Sequence, residues 1–102
     1  MQVELLYFDG CPNWQETEQR LREAMVTAGC DVPVEHVHVT TAEQAERLSF
    51  RGSPTVLVDG VDPFADPDDP VGLSCRVFRT PEELRGAPTV QQLVEALRPT
   101  RR

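Results

Sequence analysis

An apolar strand that runs directly into a helix, with a cysteine at the junction, is the feature that most constrains this chain. Residues 3–8 are largely apolar at both alternating sets of positions, which predicts a central strand covered on both faces. Asp9-Gly10 ends the strand, and Pro12 suits the first position of a helix because its missing N–H needs no partner there. Cys11 is therefore predicted at or beside the helix N-cap, where free backbone N–H groups and the helix dipole favour thiolate over thiol.

The pattern along the rest of the chain predicts the element order β-α-β-α-β-β-α. The predicted elements are a helix from residue 12 to about 28, a strand over 34–39, a helix from 41 to about 50, strands over 55–58 and 73–78, and a last helix capped by Thr89. Gly29 suits the end of the first helix. We expect one domain over residues 1–98 and a frayed basic tail over 99–102.

Composition limits the classes of partner. Ten basic and seventeen acidic residues give a formal net charge of −7, which disfavours nucleic acid and anionic membranes as partners. No apolar run approaches the roughly 20 residues of a membrane span, and the first residues lack the pattern of a signal peptide. We therefore expect a cytoplasmic protein with no nucleic-acid partner and no membrane partner.

The chain has three cysteines. An odd number in a chain that lacks an export signal argues against a disulfide framework. Cys75 falls in step with Leu73 and Val77 on the predicted fourth strand, so burial as a small apolar residue is its first interpretation. The alternative makes Cys75 a second thiol that acts with Cys11, which requires a Cα separation below about 7 Å. Cys30 lies at the far end of a helix roughly 25 Å long, too far from Cys11 to bond with it.

The strand order, Cys11 and Ser53-Pro54-Thr55 resemble the thioredoxin and glutaredoxin superfamily over nearly the whole chain. The segments YFDGCPNW, RGSPTVLVDG, DPFAD and GLSCR are also similar to small bacterial thioredoxin-family proteins that are sometimes labelled alkylmercury-lyase-like. The resemblance implies a thioredoxin-like α/β fold with a central mixed four-stranded sheet. It also implies a cis Pro54 beside the active Cys11, where Pro54 aligns the backbone of a partner. The candidate binding residues around these two are Pro12, Trp14, Ser53 and Thr55.

The chain departs from that superfamily at Trp14. Thioredoxins resolve a mixed disulfide with the second cysteine of a C-x-x-C motif, and an indole has no such chemistry. Trp14 lies one turn into the predicted helix, where a core aromatic is the plainer interpretation. The functional interpretation is an apolar lid over the thiolate or a platform for a ligand.

Three hypotheses for the function follow. The first is a single-thiol C-x-x-W oxidoreductase or thiol-exchange protein, in which Cys11 forms a mixed disulfide with a thiol or a protein partner. The second is binding of a soft metal, mercury or copper(I), by the thiolate of Cys11, either alone or together with Cys75. The third is a non-catalytic adaptor domain, so whether the chain is an enzyme stays open.

Neither a dedicated metal site nor a bound cofactor is expected. His36 and His38 share one face of a predicted strand, but no third ligand lies nearby in sequence, so an exposed or half-buried pair is expected. If glutathione takes part, Arg51, Arg76 and Arg79 are the candidates to hold its carboxylates.

Overall fold

A three-stranded sheet lies at the centre of the computed structural model, which describes residues 1–65, 68 and 70–98. The elements in chain order are β1 (Val3–Tyr7), α1 (Asn13–Ala28), β2 (Val34–His38), α2 (Ala42–Leu48), β3 (Thr55–Val58), β4 (Phe78–Arg79), β5 (Leu84–Arg85) and α3 (Val90–Leu97). The strands of the central sheet follow the spatial order β2-β1-β3. β1 pairs in parallel with β2 and antiparallel with β3, so the first predicted strand is indeed the central one.

Three of the helix ends lie at capping residues that the sequence supplies. Gly29 follows α1 in the left-handed conformation, with a φ of 74° that glycine adopts without steric cost. Thr41 caps α2 by accepting a hydrogen bond from the N–H of Gln44. Thr89 forms a full capping box with Gln92 at the start of α3. The predicted caps are confirmed, and they satisfy backbone groups that a helix end leaves without intrahelical partners.

Two apolar clusters cover the two faces of the central sheet. One cluster joins β1 and β3 to α1 and α3, and its buried members include Leu5, Leu21, Val56 and Leu93. The other cluster lies on the α2 side, with the buried members Leu6, Val39, Ala45 and Phe50. Neighbouring residues of a strand point to opposite faces, so Leu5 and Leu6 of β1 enter different clusters. The prediction of a strand covered on both faces is confirmed.

The predicted thioredoxin-like fold with a central four-stranded sheet is wrong for the part of the chain that the structure describes. The central sheet there has three strands, and residues 73–78 do not form the predicted fourth one. This segment makes an isolated bridge between Cys75 and Ser53 and then enters β4, which pairs with β5 in a separate sheet. Three strands rather than two therefore lie between α2 and α3.

The side chains of residues 73–78 that point inward are the opposite set from the one predicted. Leu73, Cys75 and Val77 are exposed, whereas Arg76 and Phe78 are buried. A shift of one residue exchanges the two faces of an extended segment. Apolar alternation assigns arginine to the exposed face, so it selects the wrong face here. An arginine is buried only where a partner engages its charge, and alternation does not reveal such a partner.

The predicted basic tail over residues 99–102 lies outside the described residues. Among the residues that are described, no helix combines the length and the apolar character needed to cross a membrane.

Leu21→Ala tests the buried face of α1. Leu21 is fully buried in the cluster with α3, and we expect its truncation to lower the free energy of unfolding by about 2–5 kcal/mol, since it leaves a cavity. Val26 lies on the same helix with 83% of its surface exposed, so Val26→Ala should change that free energy by no more than about 0.5 kcal/mol. Urea denaturation measures both variants. Equal losses would contradict this assignment of the buried face.

Candidate functional site

A disulfide bond joins Cys11 to Cys75, with their Cα atoms 5.6 Å apart. This separation lies within the range usual for disulfides. The bond connects residues 64 positions apart in the sequence, from the junction of β1 with α1 to the segment before β4. Two candidate site residues from the sequence thus form one covalent site.

Cys11 is fully buried and lies directly before Pro12, the N-cap residue of α1. Its N–H lies 3.4 Å from the carbonyl oxygen of Phe8 and donates to it, which closes the turn between β1 and α1. The side-chain amide of Asn13 donates a hydrogen bond to the sulfur of Cys11 at 3.5 Å. The sulfur therefore has an amide donor and lies beside the N-terminus of a 16-residue helix, whose dipole favours negative charge.

The backbone of Ser53 holds the segment that carries Cys75. The Ser53–Pro54 peptide bond is cis. The N–H of Ser53 donates to the carbonyl of Ser74 at 2.8 Å, and its carbonyl accepts from the N–H of Arg76 at 2.9 Å. These bonds form the parallel bridge between Ser53 and Cys75. The backbone groups next to Pro54, the residue predicted to align a partner, thus align the chain's own Cys75.

Ser53 also reaches the turn that carries Cys11. Its side chain is buried, and its hydroxyl accepts a hydrogen bond from the N–H of Phe8 at 3.4 Å. The carbonyl of Phe8 in turn accepts from the N–H of Cys11. One serine therefore connects both cysteine-bearing segments.

Arg76 is the buried anchor of the Cys75 segment, with 3% of its side chain exposed. Its guanidinium donates to both carboxylate oxygens of Asp62, at 2.7 and 3.3 Å, and to the carbonyl of Phe64 at 2.7 Å. It also donates to the hydroxyl of Thr55 at 3.2 Å and lies 4.8 Å from the ring centre of Phe78. Because its donors are engaged inside the fold, Arg76 is not available to a glutathione carboxylate, contrary to the prediction.

The two residues of the disulfide differ in their access to solvent. Cys11 has 0% of its surface exposed, whereas Cys75 lies on an exposed segment and is itself exposed. The interpretation of Cys75 as a buried strand residue is therefore wrong.

Trp14 packs into an aromatic cluster at the start of α1. Its half-buried indole stacks on Tyr7, with ring centroids 4.4 Å apart, and lies edge-on to His36 at 6.4 Å. Tyr7 stacks in turn on His38 at 5.0 Å. These contacts join the first turn of α1 to β1 and β2, as expected for a packed aromatic, and a role for Trp14 toward a ligand stays a prediction.

The two histidines are exposed, as predicted, and each faces a carboxylate. His36 Nε2 lies 3.0 Å from Glu18, and His38 Nε2 lies 3.1 Å from Asp9. Burial raises the pKa of Glu18, but hydrogen bonds from Arg22 and His36 outweigh it and hold that pKa below its usual value. Within the described ranges, no group of three or more His, Cys, Asp or Glu side chains is placed to hold a metal ion.

Cys30 lies at the far end of α1 from Cys11, as predicted, and its thiol is free. It is half-buried, and its thiol donates to the thioether sulfur of Met1 at 3.7 Å. Cys30 therefore serves as an internal control for experiments on the other two cysteines.

Two contributors to the site were not among the residues predicted from the sequence. Asn13 contacts the sulfur of Cys11, and Asp62 holds Arg76 in place. Asn13 lies two residues after Cys11, and this spacing indicates that its side chain is able to reach the sulfur. Asp62 stands among several aspartates with no periodic pattern, so nothing in the sequence distinguishes it from its neighbours.

Comparisons of the chain with protein-family models, with curated proteins and with solved structures found no match. The resemblance to the thioredoxin and glutaredoxin superfamily stays a prediction, and the function is argued below from the geometry of the site.

Asp62→Asn tests the anchor of the Cys75 segment. The amide keeps the shape of the carboxylate but leaves the buried charge of Arg76 unpaired, so the free energy of unfolding should fall by about 3–5 kcal/mol. Glu83→Gln is the matched control, because the pair of Glu83 with Arg85 is exposed and should contribute less than about 1 kcal/mol. Urea denaturation measures both changes. A loss for Asp62→Asn no larger than the control's would show that this pair does not anchor the segment.

Proposed function

We propose that this chain is a thiol–disulfide oxidoreductase in which Cys11 and Cys75 form the redox-active pair. The observation that carries the proposal is a disulfide between a cysteine buried beside a helix N-terminus and a cysteine on an exposed segment. It replaces the single-thiol mechanism predicted from the sequence, since a second cysteine is present to resolve a mixed disulfide. The soft-metal and adaptor hypotheses stay predictions.

The chemistry needs two thiolates and no further cofactor. One cysteine of the reduced pair attacks a sulfur of the substrate disulfide, and the other substrate sulfur leaves as a thiolate. The second cysteine then attacks the mixed disulfide, which releases the other substrate thiolate and forms the Cys11–Cys75 bond. Two electrons pass from the pair to the substrate, whose thiolates take up the two protons that the pair gave up. The reverse sequence oxidises a substrate dithiol.

The surroundings of Cys11 support cleavage of the bond. A helix N-terminus and the amide of Asn13, 3.5 Å from the sulfur, both stabilise a thiolate at Cys11. A sulfur whose thiolate is stabilised by its surroundings is a faster leaving group in disulfide exchange. The site therefore contains a physical reason for the bond to open.

The proposed redox function fits a cytoplasmic location and a partner that contains a thiol or a disulfide. A cytoplasmic location would keep the pair supplied with reducing equivalents, with glutathione as one candidate reductant. A thiol, a disulfide or a protein is the proposed partner, and the net charge of −7 supports the absence of a nucleic-acid partner.

A purely structural disulfide is the competing interpretation. The bond joins residues 64 positions apart, and in the chain-entropy model this closure stabilises the folded state by about 4 kcal/mol. Structural disulfides have reduction potentials below about −300 mV, whereas those of oxidoreductases lie between about −270 and −120 mV. The reduction potential therefore separates the two interpretations.

The first test is that potential. The full chain is equilibrated in buffers of defined thiol and disulfide content, alkylated, and analysed by mass spectrometry for the fraction with the Cys11–Cys75 bond. We expect a midpoint between about −270 and −120 mV. A midpoint below about −300 mV would identify a structural bond and overturn the proposal.

The second test is the loss of activity in single variants. Cys11→Ser and Cys75→Ser should each reduce catalysed turnover of a protein disulfide, measured with excess dithiol reductant, to the uncatalysed rate. Each variant removes one of the two sulfurs that complete the cycle. Cys30→Ser is the matched control and should keep full turnover, because Cys30 has a free thiol outside the site. Full turnover in either site variant would contradict a two-cysteine mechanism.

A further inference from the structure

We propose that Cys75 is the sulfur that forms the mixed disulfide, that Cys11 is the resolving thiol, and that the partner is a polypeptide with apolar residues beside its cysteine. The inference rests on the proposed redox function of the pair. It reverses the roles predicted from the sequence, where Cys11 was the attacking thiol.

Solvent access assigns the two roles. Thiol–disulfide exchange depends on which sulfur an incoming thiolate is able to reach. Cys11 has none of its surface exposed, whereas Cys75 lies on an exposed segment and is itself exposed. A partner therefore reaches Cys75 and not Cys11.

The leaving group is then Cys11. The thiolate of the partner attacks the sulfur of Cys75, the bond between Cys75 and Cys11 breaks, and the sulfur of Cys11 departs with the electron pair. Asn13 and the N-terminus of α1 stabilise the thiolate that forms. In the resolving step this thiolate attacks Cys75 again and expels the partner as a thiolate.

The surface next to Cys75 is apolar. Leu73 and Val77, each two residues from Cys75, are 39% and 59% exposed. Val71 and Leu84 add exposures of 40% and 63%. Four of the seven large hydrophobic side chains that are exposed in the described part of the chain thus lie within residues 71–84. Leu73 and Val77 are therefore the apolar side chains that a partner bound at Cys75 would cover.

The residues nearest to Cys75 in sequence, 71–77, offer no exposed charge to a small ionic thiol. Within residues 71–77, Arg76 is the one charged residue, and its side chain is buried against Asp62. The carboxylates of glutathione thus find no counter-charge on this segment. A polypeptide with apolar residues around its cysteine would instead cover Leu73 and Val77, which favours a polypeptide partner.

Mapping of the mixed disulfide tests the roles. The oxidised full chain, with Cys30→Ser to remove the third thiol, is mixed with an excess of a synthetic peptide whose single cysteine lies between leucine and valine. The reaction is quenched with acid and mapped by mass spectrometry. We expect the peptide on Cys75 and a free thiol at Cys11. The peptide on Cys11 would overturn the roles but not the redox function, whereas a chain that stays fully oxidised and yields neither an adduct nor peptide disulfide in excess peptide would overturn both.

Exchange rates test the class of partner. The same peptide should react with the oxidised chain about tenfold faster than glutathione does, with rates compared per thiolate, because it covers apolar surface. The double variant Leu73→Ser, Val77→Ser should lower the peptide rate about tenfold and leave the glutathione rate unchanged. Val26→Ser, an exposed apolar position on α1, is the control and should change neither rate. Equal rates for peptide and glutathione, or a peptide rate unaffected by the double variant, would overturn the polypeptide assignment.

Discussion

The buried ion pair of Arg76 with Asp62 determines where Cys75 lies. A guanidinium inside a protein is costly unless its charge and its donors are engaged, and here a carboxylate, a hydroxyl and a carbonyl engage them. Arg76 is buried, whereas the adjacent Cys75 is exposed. The pairing of this segment with Ser53 then brings Cys75 next to Cys11.

A redox-active pair has to survive the opening of its own bond. Reduction removes about 4 kcal/mol of stabilisation in the chain-entropy model, since the closed loop joins residues 64 positions apart. The other contacts that hold this segment contain no sulfur, because they run from Ser53 to residues 74–76 and from Arg76 to Asp62. They keep the segment in place without the disulfide, so the two thiols of the proposed pair stay close enough to bond again.

Local signals predicted much of the fold and about half of the site. The central strand, the Thr89 cap and the position of Cys11 depend on residues close together in sequence, where turn chemistry and periodicity apply. The exposure of Cys75 was missed because it depends on the burial of the adjacent Arg76, which requires Asp62, fourteen positions earlier in the chain. An aperiodic acidic loop contains no sign of that pairing, so alternation placed an arginine outside and a cysteine inside.

The contacts of Ser53 decide which side of the Cys75 segment is left for a partner. Its N–H already donates to Ser74, so an incoming polypeptide has no access to that donor while the segment is docked. A partner that reacts at Cys75 therefore has to approach from the side turned away from Ser53. Leu73 and Val77, two residues before and after Cys75, are both exposed, and the ion pair of Arg76 with Asp62 is buried. The bridge that brings the cysteines together thus also leaves the apolar side chains as the surface open to a partner.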